Sequence, residues 1–486
     1  MNMIFIYFNK LSTLLFCIVL LNSCTVGPDF KSPQSPSTQT FIYKNGDDRH
    51  VDQTVVQSQL PDPLWWRVFQ VSDLNEVMSL ALENNNTLEI AQATLDQTKE
   101  ELRAVRGSSF WPELSLEGSV GRQKFGVAEL GPGDITIPAF TSYTLGPKIS
   151  YLLDFAGGER RSIEQQSALV EAQQYKCTAV RLSIIGQVID QALAMASAKE
   201  QLAILADILI DDQKNKELVE ISRKAGAATE TDVLSVRSQF ASDQALLSPL
   251  RQQMSMSEHA LSLMVGKAPA DWRPPDFSLN SFSLPKRLPL SLPSELVRLR
   301  PDIRAAEAQL HAATAAIGVA EAQLYPSIIL NADTLQESLT ARTLFDGANN
   351  SFALGARLSA PIFNGGSLLA KRNAAVQACR VARAHYQQVV LTAFGQVADV
   401  LKAIEHDTEQ LDAQRFALET ARESLRLARL SYSAGNVGVL QVLDAERLSN
   451  QSRLGFAKAK VRQFQDTALL YLALGGAAFS KERTTQ

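Results

Sequence analysis

The sequence of 486 residues predicts a mainly α-helical fold that consists of two structural repeats and includes four strands suited to a membrane β-barrel. Three observations predict this fold class: short patterns that recur at one fixed spacing, two long stretches without proline, and four stretches in which apolar and polar residues alternate. An apolar amino-terminal stretch that ends at a cysteine adds a prediction about the compartment in which the protein resides.

The amino terminus has the pattern of a bacterial lipoprotein signal. Its apolar stretch is shorter than the roughly 20 residues that cross a bilayer, and its length fits the core of a secretory signal. Leu21, Ser23 and Cys24 resemble the lipobox of bacterial lipoproteins, which implies that residues 1–23 are removed and that Cys24 carries a covalent lipid. Thr25 follows in place of Asp, which in that resemblance implies sorting to the outer membrane. A plain secretory signal with an incidental cysteine is the alternative.

Composition argues against several classes of function. The net charge of −4 gives no electrostatic footprint for nucleic acid. No GxSxG, HExxH or phosphate-binding glycine loop occurs, so the sequence predicts no enzyme and no cofactor besides the lipid on Cys24. Met254, Met256 and His259 are soft metal ligands, but the two methionines would point about 200° apart on a helix, which favours packing over metal binding. The cysteines lack the spacing of a disulfide framework or a zinc site, and they are Cys17, Cys24, Cys177 and Cys379.

Short patterns recur 209 residues apart. The Gly-Gln-Val triplet at 186–188 returns at 395–397, and the Ala-Gly pair that ends at Gly226 returns at Gly435. Such internal repetition indicates that one element order, helix, strand, loop, strand and long helix, is used twice.

The predicted domain organisation follows this repetition. The expected segments are a signal peptide at 1–23, an extended segment at 24–64, a first repeat at 65–266, a linker at 267–294, a second repeat at 295–475 and a carboxyl-terminal tail at 476–486. The expected strands lie at about 113–124 and 142–155 in the first repeat and at about 326–337 and 351–363 in the second.

Two stretches without proline predict helices of unusual length. No proline lies between Pro147 and Pro249, and none follows Pro361. Because proline within a helix costs about 3 kcal/mol or more, these stretches allow long uninterrupted helices. The stretch 157–224 alone would form a rod of roughly 100 Å at about 1.5 Å per residue. In the second repeat, leucine recurs every seven residues, the spacing of a coiled-coil seam, at Leu411, Leu418 and Leu425.

The four expected strands alternate between apolar and polar residues. In the stretch SFALGARLSAPIF, Phe352 and Leu354 would face opposite to Arg357 and Ser359. One apolar and one polar face is what the wall of a membrane barrel requires. For any one strand, a half-buried soluble sheet would show the same pattern.

Four strands cannot close a barrel. Open sheet edges in lipid cost several kcal/mol for each unpaired backbone group. Since the smallest familiar membrane barrels have about eight strands, closure requires several chains. Three chains would supply twelve strands, but strand counting alone does not choose three over two or four.

Three segments resemble the outer-membrane efflux proteins, the TolC-type ducts. Trp65-Trp66 with Phe69 resembles the opening segment of that family. The stretch LVRLRPDIRAAEAQLHAATAAIGVAEAQLYPSI, which contains Arg300-Pro301-Asp302, is similar to its most specific stretch. APIFNGG resembles the family's exit from strand to helix. Together with the lipobox, these segments identify the chain as a member of the lipoprotein branch that serves RND-type multidrug pumps.

The resemblance implies a homotrimer with a twelve-stranded outer-membrane β-barrel and long coiled-coil helices that form a periplasmic α-barrel. It implies a passive conduit that contacts outer-membrane lipid, a periplasmic membrane-fusion adaptor and an inner-membrane RND-type pump. A type I protein-secretion duct is the alternative within transport. A structural periplasmic coiled-coil lipoprotein is the alternative outside transport.

The resemblance also implies a periplasmic gate at the helix-turn-helix connection of each repeat. Gly226 and Gly435 suit the helix ends there, where a left-handed residue is needed. The resemblance places hydrogen-bond acceptors at Thr231 and Asp232. It also implies that Tyr432 is the tyrosine that reaches across to these two acceptors.

Three further positions near the second connection complete the expected gate. Asp444 matches one of two aspartates that ring the constriction in the family. Val437 takes the place of an arginine and Gln441 that of the other aspartate. We therefore expect fewer charged contacts and more hydrophobic closure, by Val437, Val439 and Leu440. The alternative is that Asp232 and Asp444 only begin solvated helices, as acids often do near amino-terminal helix ends.

Overall fold

The computed structural model describes residues 25–34, 38, 40–41, 54–57, 62, 64–124 and 138–476. These residues fall into two compact units, each assembled from separate stretches of the chain. The first unit comprises the described residues up to Pro33, Thr94–Gln173 and Ala305–Tyr386, and the second comprises those in Gln34–Ala93, Gln174–Arg304 and from Gln387 onward. Cys24, the predicted lipid site, lies outside the described residues.

Long helices dominate the described part of the chain. Its α-helices are α1 (Ser72–Asn84), α2 (Asn86–Phe110), α3 (Gly158–Lys224), α4 (Glu230–Ala245), α5 (Leu247–Met264), α6 (Pro293–Leu299), α7 (Pro301–Ala322), α8 (Ser367–Ser433) and α9 (Val439–Ala473). Its strands are β1 (Thr54–Gln57), β2 (Glu113–Gln123), β3 (Phe140–Leu153), β4 (Arg287–Leu290), β5 (Ser327–Ser338) and β6 (Asn350–Ser359).

The prediction of unusually long helices is confirmed. α3 and α8 each contain 67 residues, and neither has an internal proline. In α8, Leu411 and Leu418 are buried and Leu425 is half-buried, so the leucines spaced by seven residues lie on a packed side of the helix.

The return helix is broken in the first half of the chain and unbroken in the second. α4 ends at Ala245 and α5 begins at Leu247, whereas α9 continues for 35 residues. Pro249 lies in the first turn of α5, where its missing N–H and its ring would disrupt a hydrogen bond to the carbonyl of Ala245. The position 209 residues further on is Lys458, which leaves α9 intact.

Within the first unit, four strands form one antiparallel sheet in the order β2-β3-β5-β6. The register keeps like faces together across the strands. On the apolar face, Leu330 lies opposite Tyr151 on one side and Ala356 on the other. On the polar face, Lys148 lies opposite Ser115. The predicted alternation of faces is therefore confirmed in the paired strands.

The edges of this sheet are β2 and β6, and each pairs with one other strand among the described residues. Apolar side chains on both edges are exposed, with Leu116 72% exposed and Phe352 75% exposed. A large exposed apolar surface beside unpaired strand edges is a hazard in water. The same surface suits contact with lipid and pairing with strands of another chain.

The segment that follows Cys24 is bound to the first unit at the end of β3. Gly157 has a φ of 78°, and a Cβ there would lie 2.7 Å from the Cα of Thr25. The buried Arg161 side chain donates hydrogen bonds to Val26 O at 3.1 Å and to Asp29 Oδ1 at 2.7 Å. These contacts hold the first described residues of the chain against the start of α3.

A buried arginine organises part of the second unit. Arg300, 7% exposed, donates from Nε and Nη2 to both carboxylate oxygens of Asp302, at 3.0 and 2.6 Å. It also donates to Gln396 Oε1 at 2.8 Å and to Ala473 O, at the end of α9, at 2.9 Å. The Arg-Pro-Asp segment at the start of α7 therefore anchors the carboxyl end of α9 and the middle of α8.

Candidate functional site

The two helix-turn-helix connections belong to the second unit. The first turn (residues 225–229) joins α3 to α4, and the second turn (residues 434–438) joins α8 to α9. All of the residues expected to form a gate lie in these turns or within the adjoining ends of the four helices.

Both turns end a long helix in the same way. Gly226 and Gly435 each have a φ of 76°, the left-handed conformation that glycine adopts without a steric cost. The N–H of Gly226 donates to Arg223 O at 2.9 Å, and the N–H of Gly435 donates to Tyr432 O at 2.9 Å. The last carbonyls of α3 and α8 are thereby satisfied.

A capping box fastens the start of α4. The Thr229 hydroxyl oxygen accepts a hydrogen bond from the N–H of Asp232 at 3.2 Å, and the Asp232 carboxylate accepts one from the N–H of Thr229 at 2.8 Å. Two backbone donors that would lack partners at a helix start are satisfied reciprocally. The charge of Asp232 also interacts favourably with the helix dipole.

The same bonds lower the pKa of Asp232. The main cause is the backbone N–H of Thr229, and the hydroxyl of Thr229 adds to it. Both donors stabilise the ionised carboxylate. Asp232 is therefore held in its charged form near neutral pH.

The second turn lacks this restraint. α9 begins after Gly438, which offers no side-chain cap. Gln441 is exposed and Val437 is half-buried. Asp444, also exposed, accepts a hydrogen bond from Arg447 at 2.7 Å, one helical turn further on.

A small apolar cluster connects the two turns. Val219 on α3 and Val233 and Val236 on α4 are buried together, and Val439 and Leu443 on α9 pack against them. Val439, which we expected to contribute to closure, lies against this cluster within one chain. The start of α9 is therefore held by apolar contacts in place of a polar cap.

The structure places Thr231 and Asp232 in the first turn of α4 and Tyr432 near the end of α8. The described hydrogen bonds of the Asp232 carboxylate come from Thr229. Thr231 is exposed, and Tyr432 is half-buried near the end of α8. Within one chain, the arrangement matches the alternative in which Asp232 begins a helix.

Sequence reasoning missed two residues of this region. Thr229 completes the capping box, and its spacing to Asp232 follows the Ser/Thr-x-x-Asp/Glu pattern that marks a helix start. Arg447 neutralises Asp444 from the next turn of α9, a spacing that also could have been found in the sequence.

The described residues offer neither a cluster of metal-binding side chains nor a helix suited to cross a membrane. They contain no group of three or more His, Cys, Asp and Glu side chains placed to hold a metal ion. No helix within them combines the length and the apolar character needed to cross a membrane.

Comparison with known proteins matches most of the chain to one family. The sequence model of the family described as "Outer membrane efflux protein" matches residues 77–267 and 292–476. The pyoverdine export outer membrane protein OpmQ of Pseudomonas putida KT2440 is 30% identical over 86% of this chain and 88% of its own length. The solvent efflux pump outer membrane protein SrpC of Pseudomonas putida is 30% identical over 95% of this chain and 97% of its own length.

Solved structures agree with this match. The outer-membrane channel OprN superposes with a TM-score of 0.84 at 27% identity, over 93% of this chain and 99% of that one. CusC, described as forming a transmembrane channel, superposes with a TM-score of 0.79 at 25% identity, over 93% of this chain and all of that one. The resemblance of the tryptophan pair and the Arg-Pro-Asp segment to the TolC-type channels agrees with this match. The chain therefore belongs to the outer membrane efflux protein family.

Proposed function

We propose that three copies of this chain form a channel through which substrates delivered by an inner-membrane RND-type pump and a periplasmic adaptor leave the cell. The observation that supports this most directly is the four-stranded sheet, which has one apolar face and whose two edge strands have no second partner among the described residues. The channel is proposed to be passive, with the energy supplied by the pump.

The backbone hydrogen-bonding groups on the edge strands of the sheet support an oligomer. In lipid, each unpaired backbone group on β2 and β6 costs several kcal/mol. Pairing β6 of one chain with β2 of the next satisfies both edges, and three chains give a closed barrel of twelve strands.

The polar face of the sheet supports a water-filled bore. Lys148 on β3 forms an ion pair with Glu117 on β2, at 3.0 Å between Nζ and Oε1. Ser119 on β2 and Thr144 on β3 share a hydrogen bond at 2.8 Å on the same face. Charged and hydroxyl groups at this density suit contact with water inside a barrel and not contact with lipid.

The relatives favour small-molecule efflux over a type I protein-secretion duct. Their names give pyoverdine, solvents and antibiotics as the exported substances. We propose a low-molecular-weight substrate for this channel on that basis.

We further propose that Cys24 carries a lipid that enters the outer membrane beside the sheet. Support comes from Thr25, the next residue, which contacts Gly157 just after β3 ends. Arg161 holds the following residues in place, so an acyl chain on Cys24 would begin near the edge of the membrane-facing surface. Several acyl chains would add to the anchoring that the sheet already supplies.

Detergent-purified protein tests this assembly. We expect a mass of three chains, ion conductance after reconstitution into a planar bilayer, and a chain that begins at an acylated Cys24. A single folded chain without conductance would overturn the trimeric channel. An unmodified Cys24 within a trimer would overturn the lipid anchor alone.

We propose that the two turns form the periplasmic gate of this channel. The first turn is held by the Thr229–Asp232 capping box, and the second by the apolar cluster and the Asp444–Arg447 pair. Because α9 begins at an uncapped glycine, the second turn is proposed to be the moving part. In a trimer the three Asp444 side chains would form a ring at the constriction, and the paired Arg447 side chains would offset its negative charge.

Removal of polar groups from the turns should open the gate. Asp232→Ala together with Tyr432→Phe removes the carboxylate half of the capping box and the tyrosine hydroxyl, while the Thr229 side chain can still cap α4. We expect increased entry of vancomycin into cells and a higher closed-state conductance. Asp412→Asn, which removes an exposed ion pair elsewhere on α8, is the control and should leave both unchanged. Equal leak in the two variants would argue against a gate that depends on these groups.

A further inference from the structure

Two aspartates in the helices of the second unit are buried without a donor. Asp212 on α3 is 6% exposed and Asp466 on α9 is 7% exposed. In each, the Oδ2 atom is buried and receives no hydrogen bond from the described residues. Ionisation of a carboxylate is disfavoured where one of its oxygen atoms is buried and receives no hydrogen bond.

Each of these aspartates faces another carboxyl group. Asp212 lies within hydrogen-bonding reach of Asp243 on α4, and Asp466 lies within reach of Asp407 on α8. We call these the first acid pair (Asp212 and Asp243) and the second acid pair (Asp407 and Asp466). Two adjacent carboxylates repel, whereas one proton between them forms a hydrogen bond and removes a charge.

Charges around the first acid pair do not compensate it. Asp211 on α3 and Glu446 on α9 are close enough to disfavour ionisation of Asp212. The nearby guanidinium of Arg429 on α8 donates to Glu446 Oε1 at 2.7 Å, and it is 3.9 Å from Asp211. Gln239, one helical turn before Asp243, donates to the carboxylate of Asp243 at 2.7 Å.

In the second acid pair, too, the less buried carboxylate is the one that lies closest to a stabilising group. Arg462 on α9 lies 3.9 Å from Asp407 Oδ1, so positive charge is nearest to the partner carboxylate. Asp190 on α3 faces the same pocket as both members of the pair, and it accepts a hydrogen bond from Gln465 at 3.1 Å. In both pairs, one carboxylate accepts a hydrogen bond or lies beside an arginine, while the more buried aspartate accepts no hydrogen bond at Oδ2. The charge of Arg462 also lowers the pKa of Asp466, but burial and Asp407 raise it more.

Burial is the main cause that raises the pKa of Asp212 and of Asp466, in each case to about 7. The hydrogen bond with the neighbouring aspartate is the second cause in each. A pKa of about 7 agrees with the close approach of the two carboxyl groups in each pair, and it places release of the shared proton close to neutral pH.

Each acid pair joins the two antiparallel helices of its own hairpin, α3 to α4 or α8 to α9. The two members of a pair lie at nearly the same distance from the turn that connects their helices. Asp212 lies 12 residues before the end of α3 and Asp243 lies 13 residues after the start of α4, about 20 Å from the first turn. Asp407 lies 26 residues before the end of α8 and Asp466 lies 27 residues after the start of α9, about 40 Å from the second turn.

The two pairs are not copies of one another. The positions 209 residues after the first acid pair are Ala421 and Ser452, and those 209 residues before the second acid pair are Ala198 and Ser257. Among the described residues, each half of the chain therefore has its own acid pair, at sequence positions where the other half has small residues.

We propose that each helical hairpin contains a proton-binding site, in which two aspartates from opposite arms share one proton and so hold the arms together. Loss of the proton leaves two negative charges side by side, one of them buried, and pushes the arms apart. The proposal rests on the carboxyl geometry of the second unit and holds whether or not the chain forms the channel proposed above.

The direction of the pH effect follows from linkage. In the unfolded chain these aspartates release their protons near pH 4, and in the folded chain the two buried members hold theirs to about pH 7. Their stabilising contribution is complete below the unfolded value and is lost as pH rises through about 7. The helices should therefore resist unfolding better in mildly acidic than in alkaline buffer.

Thermal unfolding of the purified full chain tests the proposal. We expect the wild-type unfolding temperature, followed by far-ultraviolet circular dichroism, to fall between about pH 5.5 and 8. Asp212→Asn and Asp466→Asn should each raise it at the alkaline end, and together they should abolish most of the pH difference. Asp412→Asn, at an exposed aspartate of α8, is the matched control and should retain the wild-type pH difference.

Infrared spectroscopy in D2O gives a second readout that does not depend on unfolding. The wild type should show a protonated carboxyl band at mildly acidic pH that disappears as pH passes through about 7. The band should be weaker in each asparagine variant and unchanged in Asp412→Asn. An unchanged band in the double variant, or an unchanged pH difference in unfolding temperature, would overturn the proposal.

Discussion

Gly146→Ala should greatly reduce the amount of folded protein recovered from the outer membrane. A Cβ at Gly146 would collide with the Thr334 carbonyl oxygen and lie 2.8 Å from the Cα of Leu335. Both partners are backbone atoms of β5, and β3 and β5 are the two central strands of the sheet, so neither can move away without disturbing its other neighbour. We expect a cost at or above the upper end of the about 1–3 kcal/mol typical of overpacking.

The matched control is Gly355→Ala on β6. A Cβ at Gly355 meets nothing within 4 Å, so the same substitution adds no clash there. Folded protein can be measured as the fraction of membrane-extracted chain whose gel migration changes on heating. Equal fractions for the two variants would show that the close approach of β3 to β5 is not required for folding.

Arg300→Ala should destabilise the second unit by about 1–3 kcal/mol, the cost of one unsatisfied buried acceptor. The substitution leaves the buried Ala473 O without its donor, whereas the exposed side chain of Gln396 can bond water instead. It also removes the two hydrogen bonds to Asp302, whose side chain is partly exposed and recovers some hydration. Arg300→Lys should be intermediate, because lysine keeps the charge and loses the planar fork.

Arg298→Ala is the control for this effect. Arg298 is exposed on α6, two residues from Arg300, and surface substitutions of this kind usually change stability by less than about 0.5 kcal/mol. The measurement is the midpoint of urea unfolding followed by helix content. A midpoint for Arg300→Ala equal to that of Arg298→Ala would mean that the buried network contributes little to the fold.

Most of the secondary structure could be predicted from the sequence because its signals are local. Absence of proline over long stretches predicted α3 and α8, and alternation of polarity predicted the faces of β3 and β6. The break after Ala245 was not predicted, although Pro249 is a local signal for it. The parallel pairing of β1 with β4 could not be predicted, since it joins short strands more than 200 residues apart.

The candidate gate was located from the sequence, but its contacts were not. Helix-ending glycines placed both turns, because the left-handed conformation has a strong residue preference. The bonding partner of Asp232 depends on side-chain geometry, and the nearest donors are those of Thr229 in the same turn. The acid pairs could not be predicted from the sequence, because no local pattern indicates that Asp407 on α8 and Asp466 on α9 lie next to each other.

The equal length of α3 and α8 limits how the gene can vary. Both helices contain 67 residues, so the two turns at their ends lie at corresponding distances along the chain. A deletion in one helix alone would withdraw its turn by about 1.5 Å per missing residue and rotate it by about 100°. Only paired changes of about seven residues, roughly 10 Å of rod, restore both the alignment and the packed side. We therefore expect these hairpins to tolerate changes of length in coordinated steps better than insertion or deletion of a single residue in one helix.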